Sequence, residues 1–113
     1  MDKEILIRAN IDYENGKKRF AGNSALYEKY LLKFKEDTHY EEAMKANENG
    51  DLEILLKEAH TLKGVAGTLG LLDVYQSCSD IVTALRSEQV DEIPQMMQGL
   101  RTAYEKTIEV LNK

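Results

Sequence analysis

His60, Lys63 and Gly64 are the residues in this chain whose types and spacing could do chemistry. A neutral imidazole has a ring nitrogen free to attack an electrophile near neutral pH, because the reference pKa of a histidine side chain is about 6.5. A lysine three residues later in a helix can place its ammonium group beside negative charge that develops at the ring. A glycine four residues later leaves the adjacent backbone uncrowded. Together these residues suit the receipt and delivery of a phosphoryl group.

The helix that carries His60 is predicted to bury a different face. An α-helix turns by about 100° per residue. On that wheel one narrow sector holds Leu55, Ala59, Leu62, Ala66 and Leu69. His60 points roughly 140° away from the centre of this sector. We therefore expect the imidazole ring to face solvent.

The side of the helix that carries His60 is predicted to be a docking surface. Gly64 and Gly67 both lie on this side, although a glycine inside a helix costs about 0.5–1 kcal/mol relative to alanine. Leu56, one turn before His60, is expected to be an exposed apolar residue, and Lys57 flanks the same strip. A surface that receives another protein explains these residues together.

Two plainer interpretations remain open. A lone surface histidine usually has no special role, and helical glycines near a helix end can simply permit close packing. The chain could also be a helical interaction module that binds a partner through the Leu56–Gly67 strip without covalent chemistry. Binding alone, however, needs neither the imidazole of His60 nor the ammonium of Lys63.

Length and charge narrow the class of protein. The 113 residues suffice for a domain with its own core, so we predict a single domain over residues 1–113. The net charge of -5 disfavours nucleic acid binding, and the densest basic cluster, Lys17-Lys18-Arg19, is interpreted as a solvated helix face. No window approaches the ~20 apolar residues of a membrane-spanning helix. The charged start has no signal-peptide character, and the expected location is cytoplasmic.

Helical spacing along nearly the whole chain, with a single proline, predicts an all-α fold. A short N-terminal helical lead-in is expected over Glu4–Ala9 and from Asp12 to about Phe20. Four helices are then predicted to begin near Asn23, Thr38, Asp51 and Leu72. Short loops make neighbouring helices antiparallel, so these four should form an up-and-down four-helix bundle. A long C-terminal helix opening at Asp91 should either extend one member or pack as a fifth.

The remaining candidate residues are interpreted as structural. His39 lacks the Lys-Gly partners of His60 and is predicted to be a surface residue. Cys78 falls at an inward position of its helix and is predicted to be a core thiol, and one cysteine cannot form an internal disulfide. The sequence has no metal-ligand spacing and no glycine loop that could cradle a phosphate, so no metal or cofactor is expected on this chain.

Several segments resemble histidine-containing phosphotransfer (HPt) domains. One is Phe-x-Gly-Asn-x-x-Leu-Tyr, which starts at Phe20 and follows Arg19; another is His-x-Leu-Lys-Gly, which starts at His60. The second motif is short, but the first lies at the matching distance upstream, and the similar segments together cover most of the chain. A departure occurs at Gly70-Leu71-Leu72, where many members have glycine-alanine. It concerns packing after the helix and leaves the phosphoacceptor assignment intact.

The resemblance implies a component of a two-component phosphorelay. His60 would accept a phosphoryl group from an aspartyl phosphate on a response-regulator receiver domain and donate it to another receiver's aspartate. Lys63 would be the electrostatic partner and Gly64 the clearance residue, with Leu56, Lys57 and Gly67 bordering the docking surface. The chain would be a phosphocarrier without an ATP site, and Mg²⁺ would belong to the receiver.

The resemblance also implies a hybrid sensor histidine kinase as a partner. Whether the chain stands alone or is a piece of a larger hybrid or chemotaxis kinase remains open. Met1 and the C-terminal helix favour a stand-alone protein.

Overall fold

The fold is all-α, as predicted. The computed structural model describes residues 1–113 and contains seven α-helices, two short 3₁₀ helices and no β-strand. The α-helices are α1 (Lys3–Arg8), α2 (Tyr13–Lys18), α3 (Ser24–Lys33), α4 (His39–Glu48), α5 (Leu52–Leu69), α6 (Leu72–Arg86) and α7 (Ile93–Leu111). The 3₁₀ helices span Phe34–Glu36 and Val90–Glu92. None of the helices combines the length and apolar character that a bilayer crossing requires.

Side-chain caps set most of the helix starts. The Asn23 and Asp51 side chains accept hydrogen bonds from the Leu26 and Ile54 N–H groups in the first turns of α3 and α5. These bonds satisfy backbone donors that have no partner inside the helix. Helix α5 ends at Gly70, whose φ of 77° lies in the left-handed region that favours glycine. The length of the helix that carries His60 is therefore set by local sequence at both ends.

The main antiparallel bundle consists of α4, α5, α6 and α7. Extensive packing joins α4 to α5, α5 to α6, and α6 to α7. The rings of Tyr40 and Tyr104 stack with centroids 3.7 Å apart, and this contact joins α4 to α7. The set of four predicted from sequence thus differs at one member, since α7 belongs to the bundle and α3 lies against α5. Helix α7 buries a longer stripe than α3, which buries only Tyr27 and Leu31.

The N-terminal lead-in covers the end of the bundle where α5 turns into α6. The Asp12 N–H donates to the Gly70 carbonyl at 2.8 Å, and the Leu72 N–H donates to the Asn10 carbonyl at 3.3 Å. Ile11 and Tyr13 are buried in the same hydrophobic cluster as the bundle helices. The lead-in is therefore joined to the segment that follows the His60 helix.

Candidate functional site

The ring of His60 stands on the solvent side of α5. The predicted buried sector is confirmed, since the five residues Leu55, Ala59, Leu62, Ala66 and Leu69 are all buried. His60 itself is exposed near the middle of the helix. The predicted orientation of the imidazole is therefore confirmed, and the ring is open to an incoming molecule.

His60 lies in a surface cleft of about 490 Å³ that three parts of the chain form together. Helix α5 forms the floor, α6 forms one side, and the residue after α2 reaches in from another. The lining residues are Arg19, His60, Lys63, Gly64, Gly67, Thr68, Leu72 and Tyr75. Two of them are cationic and none is acidic, in a chain whose net charge is -5. The cleft therefore suits an anion bound beside the imidazole.

An aromatic ring holds the ammonium group of Lys63 in this cleft. The Lys63 Nζ atom lies 5.6 Å from the centroid of the Tyr75 ring, which is within the range of a cation–π interaction. Lys63 forms no ion pair with a carboxylate. Its charge is thus free to interact with a group attached to His60.

The two glycines of the cleft have different surroundings. A Cβ atom added at Gly64 would meet nothing within 4 Å, so a side chain at this position would project into open space beside His60. A Cβ atom added at Gly67 would lie 3.2 Å from Tyr75 Cδ2. The space beside Gly64 is thus open, whereas Gly67 lets the ring of Tyr75 lie close to α5. The predicted role of Gly67 in docking remains a prediction.

The predicted exposure of Leu56 is wrong. Its side chain is half-buried and packs against the core. Helices α4 and α6 both pack on α5, so the buried part of α5 is wider than the narrow sector read from the wheel. Lys57 is exposed, as expected, but neither Leu56 nor Lys57 lines the cleft of His60.

Besides Thr68 on α5 itself, sequence reasoning missed three residues that other elements bring to the cleft: Arg19, Leu72 and Tyr75. They come from α6 and from the end of α2, and a wheel drawn for one helix cannot place side chains from other elements. Only Arg19 has a sequence feature that could have indicated a place in the site, because it directly precedes the Phe-x-Gly-Asn motif. From the sequence alone, however, Arg19 is interpreted as part of a solvated basic helix face.

An apolar groove of about 860 Å³ adjoins the cleft and lies between α3 and α5. Gly64 and Thr68 line both depressions. The hydrophobic lining residues of the groove are Phe20, Tyr30, Phe34, Val65 and Leu69. The imidazole therefore stands next to a surface with the character of a protein-binding site.

The other two candidate residues are structural. His39 Nδ1 lies 2.7 Å from Glu58 Oε2, and this contact joins α4 to α5. Cys78 is buried, and burial raises the pKa of its thiol to about 12, which keeps it in the unreactive protonated form. The interpretation of Cys78 as a core thiol is confirmed.

Comparison with known proteins gives one family. The family model described as "Hpt domain" matches residues 30–109, which include His60, all of α4, α5 and α6, and all but the last two residues of α7. No curated protein and no solved structure matches the chain. The lead-in, Arg19 and the start of α3 lie outside the matched residues.

Proposed function

The chain belongs to the Hpt domain family, and on this premise we propose that it carries a phosphoryl group on His60 between response-regulator receiver domains. The family implies a phosphotransfer role in a phosphorelay, as a phosphocarrier rather than a kinase. The observation that carries the proposal is the exposed imidazole of His60 in a cleft that contains cations and no acid.

The proposed reaction moves the phosphoryl group from an aspartate to the imidazole. The lone pair of a neutral ring nitrogen forms the N–P bond while the P–O bond to the aspartate breaks. The electron pair of that bond stays on the aspartate carboxylate, and the other ring nitrogen keeps its proton during the attack. Delivery to a second receiver is the reverse reaction. Lys63 stabilises the charge on the transferring oxygens, and Mg²⁺ is expected on the receiver.

The receiver is proposed to dock over the cleft and the apolar groove beside it. Gly64 borders both depressions and carries no side chain that would hold the receiver away from the ring. The groove contributes apolar area, and the cleft contributes positive charge. A hybrid sensor histidine kinase is the proposed source of the phosphoryl group. We also propose a cytoplasmic location, which is typical of Hpt domains.

Phosphate labelling tests this proposal. The chain is incubated with a phosphorylated receiver and Mg²⁺, and acid-labile, base-stable phosphate is measured on the protein. We expect labelling of the wild type and none of a His60→Gln variant. His39→Gln is the matched control, because His39 lies outside the cleft, and it should be labelled at the wild-type rate. Undiminished labelling of His60→Gln would refute the assignment.

A second function, partner binding without covalent chemistry, has one observation in its favour. The apolar groove between α3 and α5 could hold a partner without any contribution from His60. This alternative predicts that wild type and His60→Gln bind a receiver equally and that neither ever acquires phosphate. The labelling experiment therefore separates the two functions.

A further inference from the structure

Arg19 is a cation of the His60 cleft that comes from outside the helix of the imidazole. It is the residue after α2, and its exposed side chain extends towards α5. Its Nη1 atom lies 3.5 Å from the carbonyl oxygen of Thr68, two turns beyond His60. The guanidinium group thus enters the cleft from the α2 side, whereas Lys63 contacts Tyr75 on the α6 side.

Contacts on both sides of Arg19 hold its backbone in place, so that its side chain is directed towards α5. The Arg19 N–H donates to the Gly16 carbonyl at 3.1 Å. The next residue, Phe20, stacks on Tyr30 with ring centroids 5.3 Å apart. Tyr27, which contacts Phe20, donates its hydroxyl proton to the Leu69 carbonyl at 2.6 Å. These contacts fix the turn that carries Arg19 against the second half of α5.

The donors of Arg19 are largely unused. Arg8 and Arg101 each pair with a glutamate four residues away on their own helix, but Arg19 forms no ion pair. Hydrogen bonds from Asn15 are the main cause of the lowered pKa of one nearby carboxyl group, that of Asp12, and the charge of Arg19 lowers this pKa by less. The guanidinium group therefore remains available to a ligand in the cleft.

We propose that Arg19 is a second phosphoryl-binding residue of this site, which donates hydrogen bonds to the phosphoryl oxygens while Lys63 neutralises charge from the other side. A guanidinium group has planar, paired N–H donors that match two oxygens of one phosphoryl group, and no proton is transferred in this contact. The inference rests on the proposed phosphocarrier function and extends its site beyond the residues that the family model matches.

The test compares Arg19→Gln and Arg19→Lys with a neighbouring control, Lys18→Gln. Lys18 is exposed and adjacent in sequence but does not line the cleft. Two phosphodonors are used: a phosphorylated receiver with Mg²⁺, and phosphoramidate, a small donor that needs no docking surface. Circular dichroism verifies that each variant keeps its helices, as expected because Arg19 is exposed.

Arg19→Gln should slow labelling of His60 by about tenfold with both donors. The reason is that hydrogen bonds between charged groups contribute more free energy than those between neutral groups. Arg19→Lys should lie between Arg19→Gln and the wild type, because it keeps the charge and loses the paired donors. Lys18→Gln should behave as the wild type.

The two donors distinguish the ways in which the inference could fail. If Arg19→Gln slows labelling by the receiver but not by phosphoramidate, Arg19 contacts the receiver and the inference is overturned. Equal rates for all variants with both donors would overturn it as well. If neither donor labels His60 in the wild type, the phosphocarrier function itself falls, and this inference falls with it.

Discussion

Gly64 borders the imidazole at a point where an added side chain would occupy only open space. The native fold does not need a glycine there, because no neighbouring atom would clash with a Cβ atom. A glycine inside a helix also lowers stability relative to other residues. We propose that its presence beside His60 leaves room for another protein to approach the ring.

We predict that Gly64→Leu slows phosphoryl transfer from a receiver while leaving the protein folded. Helix propensity should raise the free energy of unfolding by about 0.5–1 kcal/mol. Gly99→Leu in α7 is the matched control, since a Cβ atom at Gly99 would also meet nothing within 4 Å. It should give the same gain in stability without any change in transfer. Chemical denaturation and phosphate labelling measure the two effects, and equal transfer rates for the two variants would contradict the clearance argument.

Helix α5 can present His60 on one face because contacts elsewhere hold both halves of the helix. The His39–Glu58 contact joins its first half to α4. The Tyr27 hydroxyl bonds to the Leu69 carbonyl at its C-terminal end, and burial raises the pKa of Tyr27, which keeps the hydroxyl proton in place for this bond. Neither contact uses the solvent face of α5 that carries His60.

We predict that Tyr27→Phe lowers the free energy of unfolding by about 1–2 kcal/mol, because it removes a buried hydrogen bond and leaves the Leu69 carbonyl without this partner. Tyr30→Phe is the control on the same helix. Tyr30 is exposed, and phenylalanine preserves its stack on Phe20, so its stability should equal that of the wild type. Urea denaturation followed by circular dichroism measures both, and equal midpoints for the two variants would show that the bond does not hold α3 to α5.

At the scale of the whole molecule, the lead-in and the bundle share one hydrophobic cluster. Ile11 is buried in it and forms an isolated antiparallel bridge with Leu71, directly after the end of the His60 helix. The lead-in also carries Arg19 to the cleft. Residues outside the matched family segment thus contribute both to the core and to the candidate site.

We predict that Ile11→Ala destabilises the entire protein by about 2–4 kcal/mol, as expected for truncation of a buried aliphatic side chain. Ile7→Ala should change stability by less than about 0.5 kcal/mol, because Ile7 is an exposed residue of the same lead-in. Both variants should unfold in a single transition in urea. Two separate transitions for Ile11→Ala, or an unchanged midpoint, would mean that the lead-in is not part of the cooperative unit.

The sequence by itself determined the features that depend on one helix at a time. The all-α class, the caps at Asn23 and Asp51, the buried sector of α5 and the outward ring of His60 all follow from periodicity and from groups a few residues apart. Such interactions are local, so their spacing along the chain is sufficient to predict them.

Only the tertiary structure decided which elements meet. It placed Arg19 and Tyr75 in the cleft of His60 and left the side chain of Leu56 half-buried. It also gave α7 the place in the bundle predicted for α3. These outcomes depend on how much apolar surface each helix can bury against partners far away in the sequence, a sum over the whole core that no single helical pattern contains.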